Sequence, residues 1–271
     1  MSEKIISSYF EGEKIEYFTV LSFADCRVFA PHIMERESLT PKSVILFLLP
    51  YYTGRGENLS AYATSRDYHI ELRRICEGLA DALRTEYPEA HFKGYGDHSP
   101  IDERHAALIG GLGIVGDSGL LINEKYGTYV FIGDLVTDID PDTLGAREPT
   151  EIAACRHCGA CRLACPTGAL SGRGDCLSMI TQKKGELTAE EIEAIRRNGT
   201  LFGCDACQMA CPYNKSPKMT PIAFFYEDRI PRLTREILDR MSKEELKSRA
   251  FGWRGRTLLY RNLDILEKSE K

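Results

Sequence analysis

The stretch Cys155-Arg156-His157-Cys158-Gly159-Ala160-Cys161-Arg162-Leu163-Ala164-Cys165-Pro166 decides how the chain is read. A second run follows, Cys204-Asp205-Ala206-Cys207-Gln208-Met209-Ala210-Cys211-Pro212. Where two cubane clusters share one short segment, three closely spaced thiolates hold one cluster and the cysteine before proline ligates the other. Applied here, Cys155, Cys158, Cys161 and Cys211 form one complete set of four. Cys165, Cys204 and Cys207 form the second, and Cys176, the remaining nearby cysteine, completes it. The competing reading is a pair of structural zinc sites. Zinc takes four ligands at tetrahedral corners, with no use for a third cysteine at the same spacing or for the Cys-Pro endings. The spacing therefore predicts two 4Fe–4S clusters and, because a structural role seldom calls for a pair, electron transfer.

Working outward, the chain has 271 residues and ten cysteines, eight of them in the two runs and the segment between. Clustered thiols in a chain with no export signal point to metal rather than disulfides. Cys76 and Cys26 are expected to be buried thiols without a special role. The opening MSEKIISSYF lacks an apolar signal stretch, and the longest nearly apolar run, 106–116, is far short of a membrane span. A cytoplasmic protein with no membrane partner is expected. Lys and Arg number 35 against 40 Asp and Glu, a net charge of −5, which argues against broad charge-driven binding of nucleic acid.

Three parts are predicted: an α+β domain over 1–150, the double-cluster module over 151–215 and a C-terminal helical segment over 216–271. Residues 16–23 and 43–49 read as strands, the second apolar throughout and buried on both faces. Leu72, Ile75, Cys76, Leu79 and Leu83 recur at three- and four-residue steps, one stripe of a helix that Pro88 closes. Ser99-Pro100 reads as a cap and first position of a helix through Ile109. Residues 120–122 and 128–136 read as a hairpin about the turn 123–127. Thr188 and Gly199 read as the two caps of a helix inserted between the cysteine runs. The glycines 110, 111, 113 and 116 follow a helix instead of opening one after a strand, so they are not a dinucleotide fingerprint. A tight turn and a close approach to a flat ligand both suit them.

A resemblance then becomes specific. Ser65-Arg66-Asp67-Tyr68-His69 resembles the RDYH segment of epoxyqueuosine reductases. Asp97-His98-Ser99-Pro100-Ile101-Asp102-Glu103-Arg104, followed by Gly111-Leu112-Gly113-Ile114-Val115-Gly116, is similar to that family's DxxPxxER…GLGxxG region. Gly203-Cys204-Asp205-Ala206-Cys207-Gln208 with Cys211-Pro212-Tyr213-Asn214 resembles its GCDxCQxxCPWN signature, and Arg254-Gly255-Arg256 with Arg261-Asn262 resembles its tail. The family is grouped with the reductive dehalogenases. The resemblance implies a nitroreductase-like corrinoid-binding α+β domain followed by a helical, ferredoxin-like module. It implies a base-off cobalamin, a low-potential electron donor such as ferredoxin or flavodoxin, and removal of an epoxide oxygen from a queuosine precursor in tRNA. It makes Asp97 the proton donor, with a carboxyl pKa raised in a poorly hydrated pocket. It makes Tyr62, Leu121, Ile132, Ser178, Ile180 and Asp205 neighbours of the corrinoid.

The chain departs from the pattern in three ways. It lacks the His-Gly and Tyr-Met segment near the active site, has Asp117 where the family usually has lysine, and stops at Lys271 without the C-terminal helical repeats of longer members. Other functions consistent with the sequence are a corrinoid-dependent reductase or corrinoid activator with a non-tRNA substrate, and a non-catalytic ferredoxin-type electron carrier.

Overall fold

The structure, a computed structural model, describes residues 2–37, 39–150 and 153–268. The chain divides into two compact units, residues 1–50 with 69–156, and residues 51–68 with 157–271. In the first lie α1 (Ser2–Gly12), β1 (Phe18–Ser22), α2 (Pro31–Glu37), β2 (Ser43–Pro50), α3 (Tyr68–Arg84), β3 (Phe92–Tyr95), α4 (Glu103–Ile109), β4 (Ile114–Val115), β5 (Leu121–Ile122), β6 (Val130–Thr137) and α5 (Pro141–Leu144). The class is α+β: an antiparallel sheet in the order β1-β2-β6-β3, with a separate β4-β5 ribbon.

Every residue of β2 is buried, as its unbroken apolar run requires of a strand covered on both faces. On one face Val44, Leu46, Leu48 and Val136 share a core with Ala106, Ala107 and Ile109 of α4. On the other, Phe47 meets Phe10 of α1 with ring centroids 5.3 Å apart. Gly133 of β6 lets this layer close: a Cβ there would collide with Phe47 and lie 2.8 Å from Leu72 Cδ2 of α3. Cys76 and Cys26 are both buried.

Two expectations are corrected. The helix after residue 99 begins at Glu103, not Pro100, because Asp102 is its cap and accepts from the His105 amide at 3.1 Å. The Ser99 hydroxyl is spent elsewhere, donating to Asp134 at 2.9 Å and accepting from the Ile101 amide at 3.3 Å. Residues 99–101 stay outside the helix because the Pro100 carbonyl accepts from the amides of Phe29 and Ala30, and Ile101 bridges Val28. The turn at 123–127 forms, but its flanks are not a hairpin: β5 pairs with β4, whereas β6 enters the main sheet between β2 and β3. In the glycine-rich stretch, Gly111 has φ +73° and a Cβ on Gly113 would crowd the backbone of Ile122, so these residues form a tight turn against β5.

The second unit holds α6 (Ala160–Ala164), α7 (Leu177–Gln182), α8 (Ala189–Asn198), α9 (Ala206–Ala210), α10 (Arg235–Arg240), α11 (Lys243–Lys247) and α12 (Arg256–Glu267). Thr188 and Glu191 form a reciprocal capping box on α8, and Gly199 ends it at φ +60°. Residues 51–68 join this unit through backbone and side-chain bonds. The Ser60 amide donates to Phe202 O, while Asn58 donates to Leu233 O at 2.8 Å and accepts from the Leu233 amide at 2.9 Å. Leu59, Ala63, Phe202, Leu233, Phe251 and Leu259 share its core. On α12, Asn262 donates to the carbonyls of Thr181 and Leu201 at 2.8 and 2.9 Å, and Arg261 to those of Lys183 and Gly185 at 2.8 and 2.7 Å. That is the structural use of the Arg-Asn pair in the tail. Among the described residues no helix is long and apolar enough to cross a membrane.

Candidate cluster centre and acid loop

Within the second unit, α6 and α9 pack against each other, and each is a one-turn helix ending at the cysteine that precedes proline, Cys165 and Cys211. The glycine opening the second run, Gly203, has φ +77°, and a Cβ there would collide with Ser60 Oγ. Four thiols share one neighbourhood: Cys204 interacts electrostatically with Cys176 and Cys165, and Cys207 with Cys204 and Cys176. Burial, reinforced by these neighbours, pushes the Cys204 thiol up to about 11 and Cys207 up to about 12. Close-packed thiols oppose one another's ionisation, and a bound iron–sulfur core would supply the compensating positive charge. Cys165 behaves differently. Burial raises its pKa, but the amides of Leu170, Thr167 and Ala169 and the Thr167 hydroxyl outweigh that and hold it below the usual thiol value. Amide donors aimed at a ligating sulfur are a known means of setting cluster potential. The donor chemistry fits a 4Fe–4S core. Cys155 closes the first unit, where its Sγ donates to Asp117 Oδ1 at 3.7 Å, so the acid standing in place of a lysine lies against a cysteine of the first quartet.

Asp205 precedes α9 without capping it. Its carboxylate accepts from the Ala61 amide at 2.6 Å and from Gln208 Nε2 at 3.1 Å, and burial raises its pKa to about 6 against the pull of those bonds. Beside Ala61, Tyr62 is half-buried with its ring 6.5 Å from that of Phe202. Ser178 is half-buried and its Oγ accepts from Gln182 at 3.2 Å, whereas Ile180 packs with Leu177, Ile195 and Ile265. In the first unit, Leu121 is buried in the α4-side core and Ile132 lies half-buried at its edge. Tyr62, Ile132 and Ser178 are half-buried, while Leu121 and Ile180 are 4% exposed each.

Asp97 occupies the turn between β3 and α4 with a left-handed backbone, φ +69°, uncommon for a residue with a Cβ. Its side chain is 54% exposed and its Oδ2 lies 3.5 Å from His69 Nε2 of α3. Its own amide donates to Glu103 Oε1 at 3.1 Å. Glu103 is pushed up to about 9, by burial first and then by the charges of Asp134 and Asp97. Asp134, fully buried on β6, is also raised by burial, with hydrogen bonds from Ser99 and Glu103 working against the rise. Sequence reading missed this pair, although alternation along β6 places Asp134 on the same apolar face as Ile132 and Val136.

An α+β unit joined to a cysteine-rich helical unit of this kind defines an iron–sulfur redox protein. Residues 154–214 match the 4Fe-4S double cluster binding domain. The epoxyqueuosine reductase of Listeria monocytogenes is 30% identical over 285 residues, spanning 94% of this chain and 71% of that one. That of Escherichia coli K12 is 34% identical over 167 residues, spanning 60% and 43%. The structure of epoxyqueuosine reductase from Streptococcus thermophilus superposes with a TM-score of 0.76 at 25% identity, covering 98% of this chain and 80% of that one. A crystal structure of an epoxyqueuosine reductase with an epoxyqueuosine-modified tRNA-Tyr stem loop superposes at 0.78 and 21% identity, covering 98% and 81%. The chain belongs to the epoxyqueuosine reductase family. It spans between 43% and 71% of the length of the two relatives compared by sequence.

Proposed function

We propose that this chain is an iron–sulfur and cobalamin-dependent reductase that removes the epoxide oxygen of epoxyqueuosine in tRNA, leaving queuosine. The reaction consumes two electrons and two protons and releases the oxygen as water. The observation that carries the reading is the 30% identity to the Listeria reductase over nearly the whole chain, with the Asp97–Arg104 turn and both cysteine runs in one polypeptide. Electrons come from a low-potential donor of the ferredoxin or flavodoxin class, in the reducing cytoplasm that eight clustered thiolates require.

The two quartets, Cys155, Cys158, Cys161, Cys211 and Cys165, Cys176, Cys204, Cys207, would hold the clusters in the module over 151–215. When bound, the corrinoid supplies a low-potential cobalt centre for breaking the carbon–oxygen bond. The domain over 1–150 would contribute Leu121 and Ile132 to its binding; Tyr62, Ser178, Ile180 and Asp205 complete the proposed set. Aromatic and apolar groups at Tyr62 and Ile132 suit a flat macrocycle, and the half-buried Ser178 offers it a hydroxyl. Asp97 delivers a proton to the departing oxygen from its carboxyl. His69, 3.5 Å away, orients that carboxyl.

The test is anaerobic. The cluster-loaded protein should give a base-off spectrum on adding cobalamin, and should convert epoxyqueuosine to queuosine in tRNA when supplied with a low-potential reductant, as read by nucleoside mass spectrometry. No spectral change on titration, with the epoxide left intact, overturns the reading.

A further inference from the structure

The pair of acids behind the Asp97 turn, buried Asp134 and half-buried Glu103, has no part in the chemistry above. Asp134 sits in mid-strand with no exposed surface, on the apolar face that α4 covers. Its Oδ2 accepts from Ser99, but its Oδ1 has no conventional donor. A buried carboxylate oxygen without a partner is destabilising. The group nearest it in charge is Glu103, the first residue of α4, whose carboxyl is electrostatically coupled to that of Asp134. Two carboxyls in such contact hold one proton between them. Glu103 keeps it, because it meets the charges of both Asp134 and Asp97, whereas Asp134 has the Ser99 hydroxyl to stabilise its charge.

Glu103 accepts with Oε1 from the Asp97 amide at 3.1 Å, and a proton on its other oxygen would serve the unpartnered Oδ1 of the Asp134 carboxylate. That amide belongs to a residue at φ +69°, a conformation that residues other than glycine adopt only at a cost. Something must hold the turn there. Ser99 fastens its other end to the same Asp134. We propose that Glu103 is a positioning residue for Asp97: seated on the buried Asp134 side chain, it grips the Asp97 amide and fixes the left-handed turn from which the Asp97 carboxyl is presented. The proposal rests on the reading of Asp97 as proton donor for its functional meaning, though not for its geometry.

The titratable groups around the pair come from the turn and from the elements packed against it. They are Asp97 from the turn with His69 of α3 beyond it, and Tyr95 of β3, Cys76 of α3 and Cys26 after β1, the last three lying in the field of the Asp134 charge. Deprotonating Glu103 would set two buried charges side by side and release the turn.

Glu103→Gln carries an amide that donates to Asp134 and still accepts from Asp97, so it reproduces the protonated acid. Glu103→Ala makes neither bond. In cluster-loaded protein without substrate, hydrogen exchange of the peptide spanning residues 94–102 should be as protected in Glu103→Gln as in the natural protein and unprotected in Glu103→Ala. In turnover, Glu103→Ala should lose about a hundredfold in kcat with KM little changed, as expected of a misplaced catalytic group, while Glu103→Gln stays within about threefold. Should Glu103→Ala fail to hold its clusters, Glu103→Asp, one methylene too short to reach, replaces it. Protection surviving in Glu103→Ala, or lost equally in Glu103→Gln, overturns the proposal. Protection that follows the proposal in a protein inert toward epoxyqueuosine tRNA would instead sink the functional reading and leave the positioning intact.

Discussion

Asp97 and Glu103 divide two properties expected of one residue: Asp97 is presented to solvent and His69, while Glu103 has the burial that keeps a carboxyl protonated. Asp97→Asn should therefore retain both clusters by absorption and lose about a hundredfold or more in turnover, the usual contribution of a general acid. Glu103 also leaves a mark on stability. Its folded pKa, about 9, lies above its unfolded value of 4.5, so the native state holds a proton that the unfolded chain has released. The associated stability is complete below pH 4.5 and is lost progressively as pH rises to about 9. Denaturant midpoints should fall across that window in the natural protein and fall less steeply in Glu103→Gln. Asp117 is a third residue with a measurable consequence. Its carboxylate beside Cys155 opposes adding an electron to the cluster that cysteine is proposed to hold, so Asp117→Asn should raise the potential of one cluster and leave the other unmoved in an EPR-monitored titration.

At the scale of elements, what the sequence made readable was whatever is set by local pattern. The unbroken apolar run of β2, the stripe of α3 and the capping box of α8 carry their own instructions. The cysteine spacing was legible for the same reason, since ligand geometry is written along the chain. The start of α4 was not, because Ser99 is a good cap that long-range contact with Asp134 diverts. Nor was the parting of β5 from β6, which depends on partners some eighty residues earlier in β2. The acid pair was hidden because Glu103 and Asp134 are 31 residues apart and meet only across the layer between α4 and the sheet. Long-range dependence of this kind can be tested on α12. Asn262→Ala strands the carbonyls of Thr181 and Leu201 in a buried site, and should cost about 2–4 kcal/mol in chemical unfolding with the denaturant slope unchanged. Gly133→Ala forces a methyl into Phe47 and Leu72, and should cost about 1–3 kcal/mol by the same measurement.

For the whole molecule, the countable quantity is metal. Anaerobic reconstitution should yield about eight irons and eight sulfides per chain, and the double variant Cys204→Ala with Cys207→Ala about four. The path of the chain has a more practical outcome. Residues 51–68 leave the sheet unit at Pro50, contribute Asn58, Leu59 and Ser60 to the cysteine-bearing unit, and return at His69 to begin the helical stripe under the sheet. A gene fragment cut near residue 156 would strand this excursion on the wrong product. The amino-terminal piece would carry a segment with nothing to bind, and the carboxy-terminal piece would miss the residues that bond to Phe202 and Leu233. The redox half is therefore not a cassette: anyone transplanting it must bring along eighteen residues encoded a hundred codons upstream, or recover protein that fails to mature.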